Sequence, residues 1–406
     1  MQRRAELALI RRMLAHLAAG TTDEAPGLLR LPPAQHTSAE HLARERRGLF
    51  RGQPIAAALA CELPEPGDFL AFASGGIPIL LVRGADRRAR AFLNVCRHRG
   101  APIAEGRGRA AGGRLRCPFH AWTYDLMGKL AARPLGDARG SNEPGEAGDA
   151  ALGERDPGQR RLLEFPCAEQ SGLLLVRPEG GAPIDGSGWL GEVALDLDAL
   201  GLPGFHFFAE HTARWNANWK LLLETFLESL HVFSLHRETV HPHYFSLPMV
   251  ADALGAHLRF PVARRSLESL RERPEAEWRL VDHATVQWYL APNVLLSATR
   301  DYALLWRFES PEPGACLVET RFYTARPVAN EAEAQRWRDA LALQLRVTGE
   351  EDFPMQEKIQ RGLASGLAEP LEIGRCEIGV QHLHETLARL MDEAPGDATP
   401  KPAARR

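Results

Sequence analysis

Two short stretches of this sequence place thiols and imidazoles close together. The first, CRHRGAP, carries Cys96 and His98, and the second, CPFH, carries Cys117 and His120. Thiolates and neutral imidazoles are ligands for zinc and for iron–sulfur clusters. Eighteen residues separate the two pairs, and both pairs lie in Gly- and Pro-containing stretches typical of hairpin loops. The pattern therefore predicts one metal centre held by two loops.

The spacing within each pair distinguishes between metals. A structural zinc could use two cysteines and two histidines, but zinc motifs usually place two to five residues between paired ligands. Only one residue lies between Cys96 and His98, which is tight for one tetrahedral ion and comfortable if the two bind neighbouring irons. In a Rieske 2Fe–2S cluster two histidines replace two cysteines on one iron, which raises the reduction potential. A Rieske cluster is the favoured interpretation, and zinc is the alternative.

A second group of possible ligands lies downstream, in ETFLESLHVFSLH. His231 and His236 are five residues apart, which would place them roughly 140° apart on an ideal α-helix. They can converge only if the helix ends or bends between them, and as a bare pair they also fit a packing or surface role. An acidic stretch follows at 350–352. Two histidines and one carboxylate form the facial triad of non-haem Fe(II) oxygenases.

The stretch from CRHRGAP to CPFHAWTYD closely resembles the cluster-binding loops of Rieske-type non-haem iron oxygenases, the aromatic-ring-hydroxylating alpha (terminal oxygenase) subunits. The resemblance implies that Cys96, His98, Cys117 and His120 bind a Rieske-type 2Fe–2S cluster. It extends over most of the chain, and the NWK motif at 218–220 precedes the downstream histidines as it does in the family.

The same resemblance assigns the ligands of a mononuclear Fe(II). His231 and His236 would supply the nitrogens, and Asp352 would supply the carboxylate. Glu350 and Glu351 are the competing acids. For Glu350 or Glu351 a solvated position at a helix start, favoured by the helix dipole, is the simpler interpretation.

Glu228 lies three residues before His231. In the resembling family a carboxylate here links the two metal centres, accepting hydrogen bonds from an iron histidine and from a cluster histidine of the next subunit. By position these would be His231 and His120, and such contacts fix the tautomer and shorten the electron path. Most family members carry Asp at this position and have one more residue between the NWK motif and the first histidine. The longer Glu side chain of this chain could span the same gap. Glu224 is predicted to be structural.

Further residues are expected at or near the predicted active site. By resemblance Gln287, Tyr289 and Asn293 border it. His241 and His243, in TVHPHYF, are interpreted as loop residues, with lining of the substrate pocket as the less favoured alternative.

The distribution of short apolar runs and helix-like segments along the sequence predicts an α+β fold. Short apolar runs cut by Gly and Pro are typical of a small all-β domain, here the Rieske domain at 46–165. It would be inserted into a larger catalytic domain, at 1–45 and 166–392, with an antiparallel sheet covered by helices. A mobile loop at 136–158 and a flexible tail at 393–406 complete the organisation.

Particular elements are also predicted. Apolar residues at helical spacing near the start indicate an amphipathic helix docked on the protein. The segment from Trp215 to His236 has helical texture. The segment 286–323 is expected to form consecutive antiparallel strands, and 331–363 a helix with a break near Pro354.

Composition excludes several function classes. The 406-residue chain has a net charge of −3, so no strong field attracts nucleic acid or anionic membrane. No apolar run reaches the ~18–20 residues of a spanning helix, and Arg11 and Arg12 interrupt what would be a signal peptide. Six cysteines in this length do not suggest a disulfide framework. We therefore expect a cytoplasmic protein with no nucleic-acid or membrane partner.

The resemblance implies a terminal oxygenase component of aromatic hydrocarbon catabolism that works as a homotrimer. It would hydroxylate, dihydroxylate or demethylate a small aromatic or amine substrate with O₂. The chain shows no nucleotide-binding fingerprint, so an external NAD(P)H-dependent reductase or a ferredoxin must supply electrons. The alternatives are a Rieske electron-transfer protein with a non-catalytic binding domain and a zinc-stabilised interaction protein.

Overall fold

The structure, a computed structural model, describes residues 1–132 and 161–393. The predicted loop at 136–158 lies outside the described residues, as does the predicted tail apart from Glu393. Within the described part, no helix has both the length and the apolar character needed to cross a membrane.

Helices occur at both ends of the chain and between its sheets. The α-helices are Arg3–Ala19, Ala34–Thr37, Ala39–Glu45, Gly186–Leu190, Glu192–Leu200, Trp219–Glu224, Leu280–His283, Glu331–Arg346, Phe353–Leu363 and Ile378–Asp392. Two π-helical turns are Arg46–Arg51 and Val347–Asp352. The 3₁₀ turns are Ala60–Glu62, Ala111–Gly113, Leu202–Gly204, Leu230–Phe233, Arg265–Glu272 and Glu275–Glu277.

Small antiparallel sheets form the part of the chain that carries the two Cys-His pairs. The largest has the strand order Glu164–Phe165, Ala89–Leu93, Ile77–Arg83, Asp68–Ser74 and Arg107–Arg109. A second has the order Arg114–Arg116, Thr123–Asp125 and Leu130–Ala132. A third has the order Cys167–Gln170, Leu173–Val176 and Ile55–Leu59. This third sheet pairs strands from both sides of the predicted domain boundary at residue 165. The boundary itself stays a prediction.

A seven-stranded antiparallel sheet dominates the rest of the molecule, and we call it the catalytic sheet. Its strand order is His206–Trp215, Ala315–Thr324, Tyr302–Glu312, Val294–Ala298, Ala284–Leu290, His257–Ala263 and Asp252–Leu254. The shortest described sheet pairs Leu29–Leu31 with Leu371–Ile373. Helices pack on the catalytic sheet, so the predicted α+β class with an antiparallel sheet is confirmed.

Two buried arginines join the catalytic sheet to the predicted Rieske domain. Arg321 donates from Nη1 to the carbonyl of Ala57 at 2.6 Å, and Arg307 donates from Nη1 to the carbonyl of Ala73 at 2.6 Å. Glu319 pairs with both guanidinium groups. Because a buried charge is costly unless it is paired and hydrogen-bonded, this arrangement fixes one domain against the other.

Several element predictions are confirmed, and one is wrong in its extent. The first helix buries Leu9, Ile10, Met13 and Leu14 against the core. Strands fill the segment predicted to be consecutive and antiparallel. The helix expected from Trp215 onward is much shorter, because it starts at Trp219 and ends at Glu224.

Candidate metal centres and active-site cavity

The first Cys-His loop follows the strand Ala89–Leu93 and is closed by backbone hydrogen bonds. The Cys96 N–H donates to the carbonyl of Ala101 at 2.8 Å, and the Gly100 N–H donates to the carbonyl of Cys96 at 3.0 Å. Gly100 has φ +81°, a left-handed conformation that glycine adopts without strain. Asn94 accepts from the N–H groups of Ile103 and Ala104, which holds the loop's far side.

The second loop repeats this closure between the strands Arg114–Arg116 and Thr123–Asp125. The Cys117 N–H donates to the carbonyl of Trp122 at 2.8 Å, and the Ala121 N–H donates to the carbonyl of Cys117 at 3.0 Å. The loops therefore turn their histidines toward each other, and the rings of His98 and His120 lie 4.7 Å apart.

The donor atoms of the two loops fit a Rieske cluster. Cys96 and Cys117 are 3% and 2% exposed. The Nδ1 atoms of His98 and His120 are both buried and have no hydrogen-bond partner. Buried polar atoms are normally paired, so these two nitrogens and two thiols form a donor set that a two-iron cluster would satisfy.

Aromatic residues surround this donor set. Trp122 stacks on His98 with ring centres 4.8 Å apart. The Tyr124 hydroxyl lies 3.4 Å from Cys96 Sγ and accepts from the Arg97 N–H at 3.0 Å. A phenol hydrogen bond to a ligating sulfur is one of the factors that set a cluster's potential.

The NWK motif anchors the helix Trp219–Glu224, which leads to the second site. Asn218 caps the helix by accepting from the Lys220 N–H at 3.0 Å. Its own N–H donates at 2.9 Å to Gln360, on the helix that follows Asp352. Trp219 and Lys220 both bond the buried carboxylate of Glu45. Burial raises the pKa of Glu45, but Lys220 and its hydrogen bonds more than offset this and lower it to about 2.

His231 and His236 converge because the chain leaves α-helical geometry before it reaches them. After Glu224 the backbone turns irregularly, and His231 lies in the 3₁₀ turn Leu230–Phe233. The two imidazole rings lie 4.9 Å apart. The condition predicted from the sequence, that the helix must end or bend, is therefore met.

Asp352 reaches the histidines from a widened helical turn. The helix Glu331–Arg346 runs into the π-helical turn Val347–Asp352, and a new α-helix starts at Phe353. Pro354 lies in the first turn of that helix, where proline is tolerated, so the predicted break falls just before it. Such π-helical turns are frequent at functional sites.

Three donors meet at this point. Asp352 Oδ1 lies 2.9 Å from His236 Nε2 and 3.6 Å from His231 Nε2. Asp352 is 4% exposed, and its Oδ1 has no hydrogen bond. An unpartnered buried carboxylate oxygen beside two imidazole nitrogens fits a bound cation, and the donor types fit a 2-His-1-carboxylate iron site.

Two further carboxylates hold the outer sides of the histidines. Glu228 contacts His231 Nδ1, and Glu351 Oε2 lies 2.5 Å from His236 Nδ1. Burial opposes a positive charge on His236, yet Asp352 and Glu351 raise its pKa above the ordinary value. The site therefore attracts positive charge.

Of the two acids Glu350 and Glu351, Glu351 does not take the solvated position, because it bonds His236 and also accepts from Thr239 at 2.8 Å. Glu350, next to it, is exposed. Only the position of Glu351 in the π-helical turn gives it this role, and nothing in the sequence marks that turn.

Glu224 lies away from the three-donor site. Its Oε1 accepts from His36 Nε2 at 3.0 Å and from His384 Nε2 at 2.8 Å. Burial raises the pKa of Glu224, but the two imidazoles more than offset this and hold it well below its usual range. The cluster connects segments distant in sequence, in line with the predicted structural role.

A cavity opens beside the three donors. Its lining includes Glu228, His231, His236 and Asp352 on one side and residues of the catalytic sheet on another. The cavity has a volume of about 250 Å³.

Of the other residues predicted near the active site, Gln287 and His243 line the cavity. Tyr289 does not, because its hydroxyl is buried and donates to the carbonyl of Pro292. Asn293 is likewise buried and donates to the carbonyl of Phe308. His241 contacts Arg265 instead.

Comparison with known proteins gives these sites a family context. Residues 53–139 match the model "Rieske [2Fe-2S] domain", and residues 203–393 match "Ring hydroxylating alpha subunit (catalytic domain)". The carnitine monooxygenase oxygenase subunit of Escherichia coli (strain K12) is 25% identical over 382 residues, which cover 89% of this chain and 94% of that protein.

Solved structures share the fold. A quaternary ammonium Rieske monooxygenase, whose structure concerns carnitine oxidation by gut microbiota and inter-subunit electron transfer, has a TM-score of 0.74 and 21% identity, covering 89% of this chain and 95% of that one. Naphthalene 1,2-dioxygenase from Rhodococcus has a TM-score of 0.71 and 18% identity, covering 96% and 99%.

The two domains define the class of protein: the chain belongs to the Rieske-type non-haem iron oxygenases, as an alpha subunit. It is the terminal oxygenase component of such a system, with a Rieske 2Fe–2S cluster and a mononuclear iron as its cofactors. It takes electrons from a reductase or ferredoxin and binds a small substrate.

Proposed function

We propose which residues of this terminal oxygenase hold each cofactor. The proposed ligands of the 2Fe–2S cluster are Cys96, His98, Cys117 and His120, and those of the mononuclear Fe(II) are His231, His236 and Asp352. The observation that carries the second set is the buried, unpartnered Oδ1 of Asp352, which faces the Nε2 atoms of both histidines. When bound there, the iron supplies O₂ activation driven by electrons from the cluster.

Glu228 and Glu351 act as positioning residues for the iron ligands. Because each carboxylate accepts from an Nδ1–H, it fixes the tautomer that leaves Nε2 free to bind metal. Glu228 also accepts from the backbone N–H of Leu230 and His231, which hold it in place.

The electron route is proposed to run between chains of a head-to-tail homotrimer. The cluster histidines are partly exposed at a loop tip beside Phe119, which is 56% exposed. Exposed Leu230 and Phe233 flank the Glu228 site. One exposed aromatic side chain at the proposed cluster and two exposed apolar side chains at the proposed iron site suit a heterologous interface that would bring His120 of one chain to Glu228 of the next.

The substrate is proposed to be a small aromatic or amine compound, since relatives include proteins named for carnitine and for naphthalene. None of the six cysteines, all of which lie in the described part of the chain, is in a disulfide, which is in keeping with the proposed reducing, cytoplasmic location. The domain bounds at 46–165, 1–45 and 166–392 stay proposals.

The decisive experiment compares Asp352→Asn with Glu350→Gln, an exposed acid in the same turn. Asp352→Asn keeps the side-chain shape but removes the charged iron ligand. We expect it to lose the mononuclear iron and substrate turnover while the visible spectrum of the cluster remains, and Glu350→Gln to keep both. If Asp352→Asn retains iron and turnover, the ligand assignment is wrong. If the wild-type protein holds only the cluster iron, the chain is an electron carrier.

A further inference from the structure

The cavity beside the three donors has two chemically different sides. The metal donors come from the helical segments around His231 and Asp352. The catalytic sheet supplies neutral polar side chains, namely Thr285, Gln287, Ser297 and Thr299. Gln287 and Ser297 are direct partners on neighbouring strands, so their side chains lie on one face of the sheet.

No lysine or arginine is among the described residues that line this cavity. Arg264 lies close in sequence to Val262, which lines this cavity, but Arg264 itself lines a neighbouring cavity. It is engaged by the Tyr244 hydroxyl, to which its Nε donates at 3.2 Å. His243 lines the cavity but is exposed, so water screens any charge it carries. Around the proposed iron, the carboxylates of Asp352, Glu228 and Glu351 already offset the charge of the metal ion. A carboxylate bound inside would therefore be desolvated without a net positive counter-charge, which is costly.

Gln287 offers an acceptor that nothing in the described chain uses. Its Oε1 is buried and has no hydrogen-bond partner. Buried polar atoms without partners are uncommon in native proteins and point to a missing ligand or water. This acceptor lies in the cavity lining, where a substrate O–H or N–H can reach it.

A neighbouring hydroxyl offers the complementary donor. Arg264 donates to the Tyr244 oxygen, and the Tyr244 hydroxyl lies 3.0 Å from Thr285 Oγ1, where either hydroxyl can be the donor. When Tyr244 donates, the Thr285 proton is available to a bound substrate. Aromatic rings of Phe226, Tyr302 and Trp306 line the same cavity and suit an apolar or cationic body.

We propose that Gln287 determines specificity by accepting a hydrogen bond from the substrate, and that the cavity selects compounds with an uncharged O–H or N–H group over carboxylates. This inference rests on the proposed function, because it places the substrate in the cavity beside the iron. The relative named for carnitine has a substrate that carries a carboxylate, so the inference separates this chain from it.

Two matched ligand pairs test the selection by calorimetry on the holoenzyme. Choline and glycine betaine share a trimethylammonium group and differ in a hydroxyl against a carboxylate. Benzyl alcohol and benzoate differ in the same way on an aromatic ring. We expect the alcohol of at least one pair to bind ten times or more tighter than its acid.

Variants then test the residue. Gln287→Leu keeps the size but removes the acceptor, and we expect at least tenfold weaker binding of the preferred alcohol, since a hydrogen bond of about 1.4 kcal/mol is worth that factor. Gln287→Glu keeps an acceptor and should retain most of the affinity. Gln335→Leu, an exposed change on the helix Glu331–Arg346, is the control and should bind as wild type does.

Acids that bind as well as or better than their alcohols would overturn the proposal, as would the absence of binding by both members of both pairs. An unchanged affinity of Gln287→Leu would refute the role of Gln287. Iron content and the cluster spectrum, measured on the same samples, separate this failure from failure of the proposed function. Binding is read without turnover, so a protein lacking the second iron still reports the preference.

Discussion

Glu309 provides a quantitative test of the contact between the two domains. It lies on the strand Tyr302–Glu312, is 6% exposed, and has a carboxylate oxygen without a hydrogen bond. Burial raises its pKa to about 7, although Arg307 and the backbone N–H groups of Gly76 and Gly75 oppose this rise. These two glycines form the turn between Asp68–Ser74 and Ile77–Arg83 in the predicted Rieske domain.

The effect of pH on stability follows from this shift. The folded protein holds the Glu309 proton more tightly than the unfolded chain, whose pKa is near 4.5. The contribution of protonated Glu309 to the free energy of unfolding is therefore fully present below about pH 4.5 and is lost as the pH rises through about 7. The difference between 4.5 and about 7 corresponds to about 3 kcal/mol.

Glu309→Gln mimics the protonated carboxyl at every pH. We expect it to match wild type in acid and to become the more stable protein as the pH rises, with the gap widening by about 2 kcal/mol between pH 5.5 and pH 8. Urea unfolding of both proteins at each pH, followed by tryptophan fluorescence, measures the gap, and effects of the metal centres cancel in the difference.

Glu312→Gln serves as the control for this experiment, because it removes an exposed carboxylate from the same strand. It should leave the pH profile as in wild type. The reasoning would be refuted if the difference in free energy of unfolding between Glu309→Gln and wild type stayed constant with pH or closed as the pH rose.

Three further substitutions probe other contacts. Tyr124→Phe removes the hydroxyl beside Cys96 Sγ, so we expect a lower reduction potential of the cluster with its absorbance retained, and spectroelectrochemistry measures it. Arg321→Met leaves Glu319 without one of its two buried guanidinium partners; a loss of about 3 kcal/mol in urea unfolding is expected, and a neutral result would count against the domain contact. Glu224→Leu strands two buried imidazole N–H groups and should cost about 3 kcal/mol, whereas Glu224→Gln, which keeps an acceptor, should cost less.

The sequence predicts the donor types because metal chemistry restricts them to a few residues. The spacing of Cys96 and His98 already favours a two-iron cluster over zinc, and the loops bring their donors together as expected. The fold class followed from strand texture, since alternating apolar runs cut by Gly and Pro leave few alternatives.

The remaining features depend on tertiary contacts that no local pattern encodes. The helix before His231 ends at Glu224 although the sequence pattern continues, because tertiary context overrides helix propensity. Glu351 reaches His236 only because a π-helical turn rotates it inward. The misplaced expectation for Tyr289 has a similar origin, since its position along the strand decides whether it meets the cavity or the core.

The hydrogen bonds of Asn218 and Gln360 have a consequence for how the iron site forms. Gln360 accepts from the Asn218 N–H and donates to the carbonyl of His36, which also receives a hydrogen bond from Asn218. Three remote parts of the chain thus meet at two amide side chains, one before the histidines and one after the aspartate. The proposed triad can therefore assemble only when these parts have docked, so iron affinity and folding of the domain should rise and fall together as one cooperative event.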